Sequence, residues 1–148
     1  MKIKTLVSPE YKDPELHICS DKINEKIIKI RDDLQVLYGD SIVGTDLREN
    51  RCVVPLISVM TFYASGQKVI AKTEDNEYHI SKKLYEIEAE LGQLGFVRIS
   101  KSEVVNIRKI KRLDMSFTGT IKIIMQCDYE TYTSRRNVAK IKQLLSNK

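Results

Sequence analysis

Between residues 21 and 37 the apolar positions fall at Ile23, Ile27, Ile30, Leu34 and Leu37, a 4-3-4-3 spacing. That spacing predicts one stripe of an amphipathic helix, with Ser20 or Asp21 as its cap. The stripe either covers a sheet in its own chain or forms a seam between two copies. About two heptads are too short to hold a coiled coil alone. Ahead of it, MKIKTLV (1–7) and ELHIC (15–19) alternate well enough for short strands, with Pro9 and Pro14 bracketing a turn. Tyr38-Gly39-Asp40 ends the helix, which divides the chain into an N-terminal β-β-α extension (1–40) and a main domain (41–148).

Beyond residue 40 the period changes from helical to alternating. SIVG (41–44) is a short strand, and the apolar run RCVVPLISVMTFYASG (51–66) is interrupted at Pro55, which suits an edge, kink or short connection. QKVIAKT (67–73), the turn EDNE (74–77) and YHIS (78–81) read as a hairpin. KKLYEIEAELGQL (82–94) places Leu84, Ile87, Leu91 and Leu94 on one helical face, closing at Gly92 or Gly95. RLDMSF, the turn Thr118-Gly119 and TIKIIMQC (120–127) form another hairpin, and Asp128-Tyr129-Glu130 turns into ETYTS. NVAKIKQLL (137–145) is a final short helix. The fold class is mostly β (α+β) with short helices.

One stretch breaks the simple patterns. FVRISKSEVVNIRKIKRL (96–113) holds six cations and one acid, Glu103, yet eight apolar residues are interleaved with them. Its apolar positions can anchor to a core while the cations face out, a surface that tracks phosphates. Ser100, Lys101, Ser102 and Asn106 are residue types able to meet base edges or phosphates. Charge sharpens the picture: residues 96–148 carry twelve Lys/Arg and four acids, whereas residues 1–95 carry thirteen Lys/Arg and sixteen acids. So localised a basic surface points to an anionic partner, most often nucleic acid.

A second oddity is TSRRNVAKIKQLL (133–145). Ser134 can cap the last helix, which puts Arg135 and Arg136 at its first turn. Cations there oppose the helix dipole, so a structural role would prefer Asp or Glu. The placement suits a docked anion, where backbone N–H groups and two guanidinium forks converge. The structural alternative is an Arg bridged to Asp128 or Glu130.

Other chemistries find little support. No nucleophile elbow, phosphate loop or zinc-protease motif occurs, so no enzyme and no cofactor are expected. His17 and His79 sit among apolar neighbours as structural or surface residues. Cys19, Cys52 and Cys127 are scattered without metal-ligand spacing and are expected to be reduced, buried thiols. No apolar run reaches the ~20 residues of a membrane span, and the start lacks a signal-peptide core, so a cytoplasmic protein is expected.

Taken in order, Phe96, Arg98, Ser102, Val105, Asn106, Ser134 and Arg135/Arg136 resemble the motif series of the LytTR DNA-binding domain of bacterial transcription regulators. The segment TFYASGQKVIAKTEDNEYHISKKLYEIEAEL (61–91) is similar to that family's preceding strands, hairpin and helix, and the resemblance spans about residues 42–146. One departure is Ser100, where the family usually has His. The resemblance implies an elongated β domain without a helix-turn-helix, whose loops enter successive major grooves of double-stranded DNA at direct repeats. It implies base-reading loops at Gln67/Lys68, at Ser100, Lys101 and Ser102, and at Arg135/Arg136. Arg98, Asn106, Lys109 and Lys111 would support them or contact phosphates. Residues 1–40 are too few for the receiver domain of most response-regulator relatives. The chain is therefore similar to the stand-alone type, for which a membrane protein sometimes supplies control, and the extension becomes a candidate for homodimerisation or partner docking. The alternative from another class is a protein-interaction subunit whose basic face binds an acidic protein.

Overall fold

A computed structural model describes residues 2–12, 14–115 and 119–146, and the side chains of residues 35–38 lie outside that description. The chain separates into two units, Met1–Tyr38 and Gly39–Lys148.

In the first unit the helix is α1, Glu25–Tyr38. It starts later than the apolar stripe suggests. The Asn24 side chain accepts from the Ile27 N–H at 3.1 Å, so Asn24 is the cap rather than Ser20 or Asp21, and Ile23 falls outside the helix. The two strands expected at 1–7 and 15–19 do not form among the described residues. A strand exists by pairing, and these segments have no strand partner. None of the described residues of this unit is buried: Ile27, Ile30 and Leu34 are half-buried and Ile23 is 81% exposed. The side chain of Leu37 lies outside the described residues.

The second unit is built from two antiparallel sheets. Its strands are β1 (Ser41–Thr45), β2 (Arg51–Pro55), β3 (Val59–Ser65), β4 (Lys68–Thr73), β5 (Glu77–Ile80), β6 (Phe96–Ser100), β7 (Glu103–Asn106), β8 (Ile110–Met115), β9 (Ile121–Met125) and β10 (Glu130–Tyr132). Seven strands form one sheet in the order β2-β1-β5-β4-β3-β7-β6, and three form the other in the order β10-β9-β8. Pro55 ends β2, and a single 3₁₀ turn, Leu56–Ser58, re-aims the chain into β3. Gly44 admits β5 closely: a Cβ there would sit 2.7 Å from the Tyr78 Cβ. The expected Thr118-Gly119 turn between β8 and β9 lies partly outside the described residues.

The β3-β7-β6 side of the large sheet is buried on both faces, which explains its dense apolar sequence, whereas Val43 of β1 and Val53 of β2 are exposed. One face, with Phe62, Ala71, Val104 and Phe96, packs on helix α2 (Leu84–Leu91) through Leu84 and Ile87. The Phe62 and Phe96 rings meet at 5.3 Å in a tilted pair. The other face, with Met60, Val97, Ile99 and Val105, packs on Ile121, Ile123 and Met125 of the small sheet and on Ile141 of helix α3 (Val138–Ser146). Alternation therefore sends Val104 to one core and Val105 to the other.

Glu103 lies on the second face and is only 7% exposed. Its carboxylate accepts from Thr61 Oγ1 at 2.7 Å and Tyr129 Oη at 3.1 Å, and from Thr131 Oγ1. Three hydroxyls, and no cation among the described residues, hold this acid, and they tie β3 and β7 to the β9–β10 side of the small sheet. Burial and the neighbouring Glu103 raise the Tyr129 phenol far above its ordinary range. The cysteines depart from the expectation of buried thiols: Cys19 and Cys127 are exposed, and Cys52 is half-buried, packed against the edge of the first core. His17 is exposed with its Nε2 2.9 Å from Glu15, and His79 is a half-buried residue of β5.

Candidate nucleic-acid interface

The three loops read from the sequence meet at one end of the large sheet. The first joins β3 to β4 through Gly66 and Gln67, with Ser65 opposite Lys68. Gly66 has φ 61, as the first residue of a type II′ hairpin turn requires. The second, Ser100–Ser102, joins β6 to β7. The third is the segment Ser134–Asn137 leading into α3. Two backbone hydrogen bonds bring them together. The Ala64 N–H donates to Ser102 O at 2.8 Å, and the Ser134 N–H donates to Ile99 O at 2.8 Å. The central loop is thus flanked by the hairpin turn on one side and the arginine pair on the other.

Gln67, Lys68, Lys101, Ser102, Arg135 and Arg136 are all exposed. No ion pair is made by Lys68, Lys101, Arg135 or Arg136 among the described residues. The acids that could have quenched the arginines are engaged elsewhere: Asp128 with Lys111 at 2.9 Å and Glu130 with Lys122 at 2.8 Å. Ser134 does precede the helix, but its Oγ accepts from Asn137 Nδ2 at 2.8 Å rather than from a backbone N–H. Arg135–Asn137 form a 3₁₀ turn ahead of α3, so the arginines lie at the positive end of the combined helix.

Arg98 has a different role from a free phosphate contact. Its Nε donates to Ser100 O at 2.5 Å and its Nη2 to Lys101 O at 2.6 Å. Glu88 of α2 lies 3.5 Å from Nη1 and 3.7 Å from Lys140 Nζ of α3. The guanidinium clamps the loop from beneath while Glu88 holds the guanidinium. Ser100 is half-buried and completes the loop internally, its Oγ accepting from the Ser102 N–H at 3.2 Å.

Asn106 is the clearest correction. At 3% exposure it cannot face solvent. Its Nδ2 donates to Val59 O at 3.0 Å and its Oδ1 accepts from the Arg108 N–H at 3.1 Å. Both amide groups are used inside the protein, so Asn106 ties β7 to the start of β3 and does not touch a ligand. Lys109 and Lys111 are not brought into the loop cluster either. They follow the opposite end of β7, about 13 Å away at a strand's rise per residue. Lys111 is also paired with Asp128.

Two participants escaped the sequence reading. Glu88 lies in α2, and its link to Arg98 depends on tertiary packing that the sequence does not display. Glu103 stood out as the lone acid of a basic stretch; its inward parity in EVVN, beside Val105, was the available signal for burial.

Comparison with known proteins supplies the family. The LytTr DNA-binding domain pattern matches residues 49–146. An uncharacterized HTH-type transcriptional regulator of Staphylococcus aureus strain NCTC 8325 is 30% identical over 147 residues, covering 99% of each chain. The counterpart in strain MW2 is 31% identical over the same coverage. A solved LytTr DNA-binding domain from Bacillus cereus superimposes with a TM-score of 0.67 at 24% identity, covering 72% of this chain and 98% of that one. No helix-turn-helix occurs among the described residues of this chain, since α1 and α2 each lead into a strand. The chain belongs to the LytTR DNA-binding domain family.

Proposed function

We propose that this protein is a transcription regulator that binds double-stranded DNA sequence-specifically, reading base edges with its three clustered loops. The observation that carries this is the convergence of Lys68, Lys101, Arg135 and Arg136, exposed and unpaired among the described residues, on loops joined by two backbone hydrogen bonds. Arg and Lys meet guanine O6 and N7 in the major groove, and Gln67 can bridge adenine N6 and N7. The loops enter successive grooves, and two copies occupy a direct repeat. Lys109 and Lys111 contribute to phosphate attraction at a distance from the reading loops. The naming of the Staphylococcus aureus relatives as transcriptional regulators supports the same reading.

The unit Met1–Tyr38 serves dimerisation, because its apolar residues have no buried cover of their own. The direct experiment on DNA recognition is selection of bound fragments from a random DNA pool by the purified chain, followed by sequencing. A shared motif repeated in the same orientation is the expected result. Enrichment without any motif contradicts sequence-specific reading. Binding only to an acidic protein would favour an interaction subunit instead.

A further inference from the structure

We propose that α1 docks against α1 of a second copy in antiparallel orientation, and that a Lys26–Asp33 pair across the seam sets that orientation. This rests on the dimerisation reading above and goes further by fixing the partner and its direction. The apolar stripe Ile27, Ile30 and Leu34 is only half-buried, and Ile28 beside it is exposed. A single helix cannot satisfy such a face in water; a second copy of the same stripe covers it, and a seam this short makes a weak, concentration-dependent pair.

The charges flanking the stripe select the direction. Along one flank lie Lys26 and Asp33, and along the other Asn24 and Arg31. In a parallel pair, each flanking residue meets the opposite flank of its neighbour five positions later. Lys26 would then face the second copy's Arg31, twice over, a like-charge contact. In an antiparallel pair like flanks meet. Lys26 then faces the second copy's Asp33, also twice, and Arg31 faces the neutral Asn24. Ile27 lies opposite the second copy's Ile30, and Leu34 faces the segment just ahead of the second copy's helix, where Ile23 is 81% exposed in the single chain. Arg31 is already engaged with Asp32 at 2.7 Å, whereas Lys26 and Asp33 are exposed and have no ion pair among the described residues. Antiparallel packing also opposes the two helix dipoles favourably.

The test is sedimentation equilibrium of the full chain at low ionic strength over a range of concentrations. The variants are Lys26→Glu, Asp33→Lys, the two combined, and Ile27→Asp with Leu34→Asp. Each single charge variant converts two attractive contacts into repulsive ones, and should weaken dimerisation about tenfold. The charge double variant should restore it. Loss of helix cannot mimic this, because Glu near the helix start and Lys nearer its end both suit the dipole. A tighter dimer with Lys26→Glu would overturn the antiparallel assignment in favour of a parallel one. If the charge variants change nothing while the apolar double variant is monomeric, the Lys26–Asp33 pairing is wrong and the dimer reading stands. A wild type that is monomeric at all concentrations overturns both.

Discussion

At the scale of single residues, the basic stretch separates into side chains that face outward and side chains that hold them there. Arg98 and Lys101 are three positions apart, yet Arg98 is spent on the carbonyls of Ser100 and Lys101 while Lys101 is exposed. Lys cannot reproduce a two-carbonyl grip with one ammonium. Arg98→Lys should therefore lower affinity for the selected site while leaving the salt dependence of binding unchanged. A phosphate contact would keep its charge in that variant and lose little. Titrations at several salt concentrations distinguish the two. Asn106→Ala should destabilise the fold by about 1–3 kcal/mol, because it leaves the buried Val59 carbonyl and the Arg108 N–H without their partner. Urea unfolding measures this, and an unchanged midpoint would contradict the assignment. Asn106 shows where sequence reading fails: its residue type suits DNA and core alike, and only burial decides.

At the scale of elements, period carried most of the information. The change from 4-3 spacing to alternation located the strands of the second unit, and Pro55 marked a real break. The amphipathic face of α2 was legible because its buried positions, Leu84 and Ile87, lie three apart. The strands expected at 1–7 and 15–19 failed because alternation without a partner strand has nothing to pair with. Register between sheets was not legible at all, and the Glu103 hydroxyl cluster depends on it. That cluster has a pH signature. Burial, then the charge and hydrogen bond of Glu103, raise the Tyr129 phenol above its ordinary 10.0, and Tyr63 shifts the same way through burial and Glu77. Above pH about 10 the unfolded chain loses these protons and the folded chain keeps them, so stability present below that pH declines as pH rises. Tyr129→Phe should flatten part of this alkaline decline in the urea midpoint. Lys122, held by Glu130, shifts in the same sense, so the comparison is between variant and wild type. An identical alkaline decline in both proteins would show that Tyr129 does not carry it.

At the scale of the whole molecule, two backbone hydrogen bonds turn loops that are distant in sequence into one face, on which Lys68, Lys101, Arg135 and Arg136 are exposed. The family was legible because its motifs recur in order over about a hundred residues. The division of labour among the cations was not, since Lys101 and Lys109 are the same residue type and only the fold puts them at opposite ends of β7, Lys101 exposed and Lys109 half-buried. The most direct measurement of the central claim is equilibrium binding of wild type, Lys101→Ala, Arg136→Ala, Lys109→Ala and Lys111→Ala to the selected site and to random DNA, at salt from about 50 to 200 mM. Wild type should prefer the selected site and show a steep log–log salt slope. Lys101→Ala and Arg136→Ala should each lose about 1–3 kcal/mol on the selected site and little on random DNA. Lys109→Ala should weaken both DNAs alike with a shallower slope, and Lys111→Ala less so because Asp128 already meets its charge. Equal losses on both DNAs for all four variants, or a wild type indifferent to sequence, would contradict the assignment of the three-loop face as the reading surface.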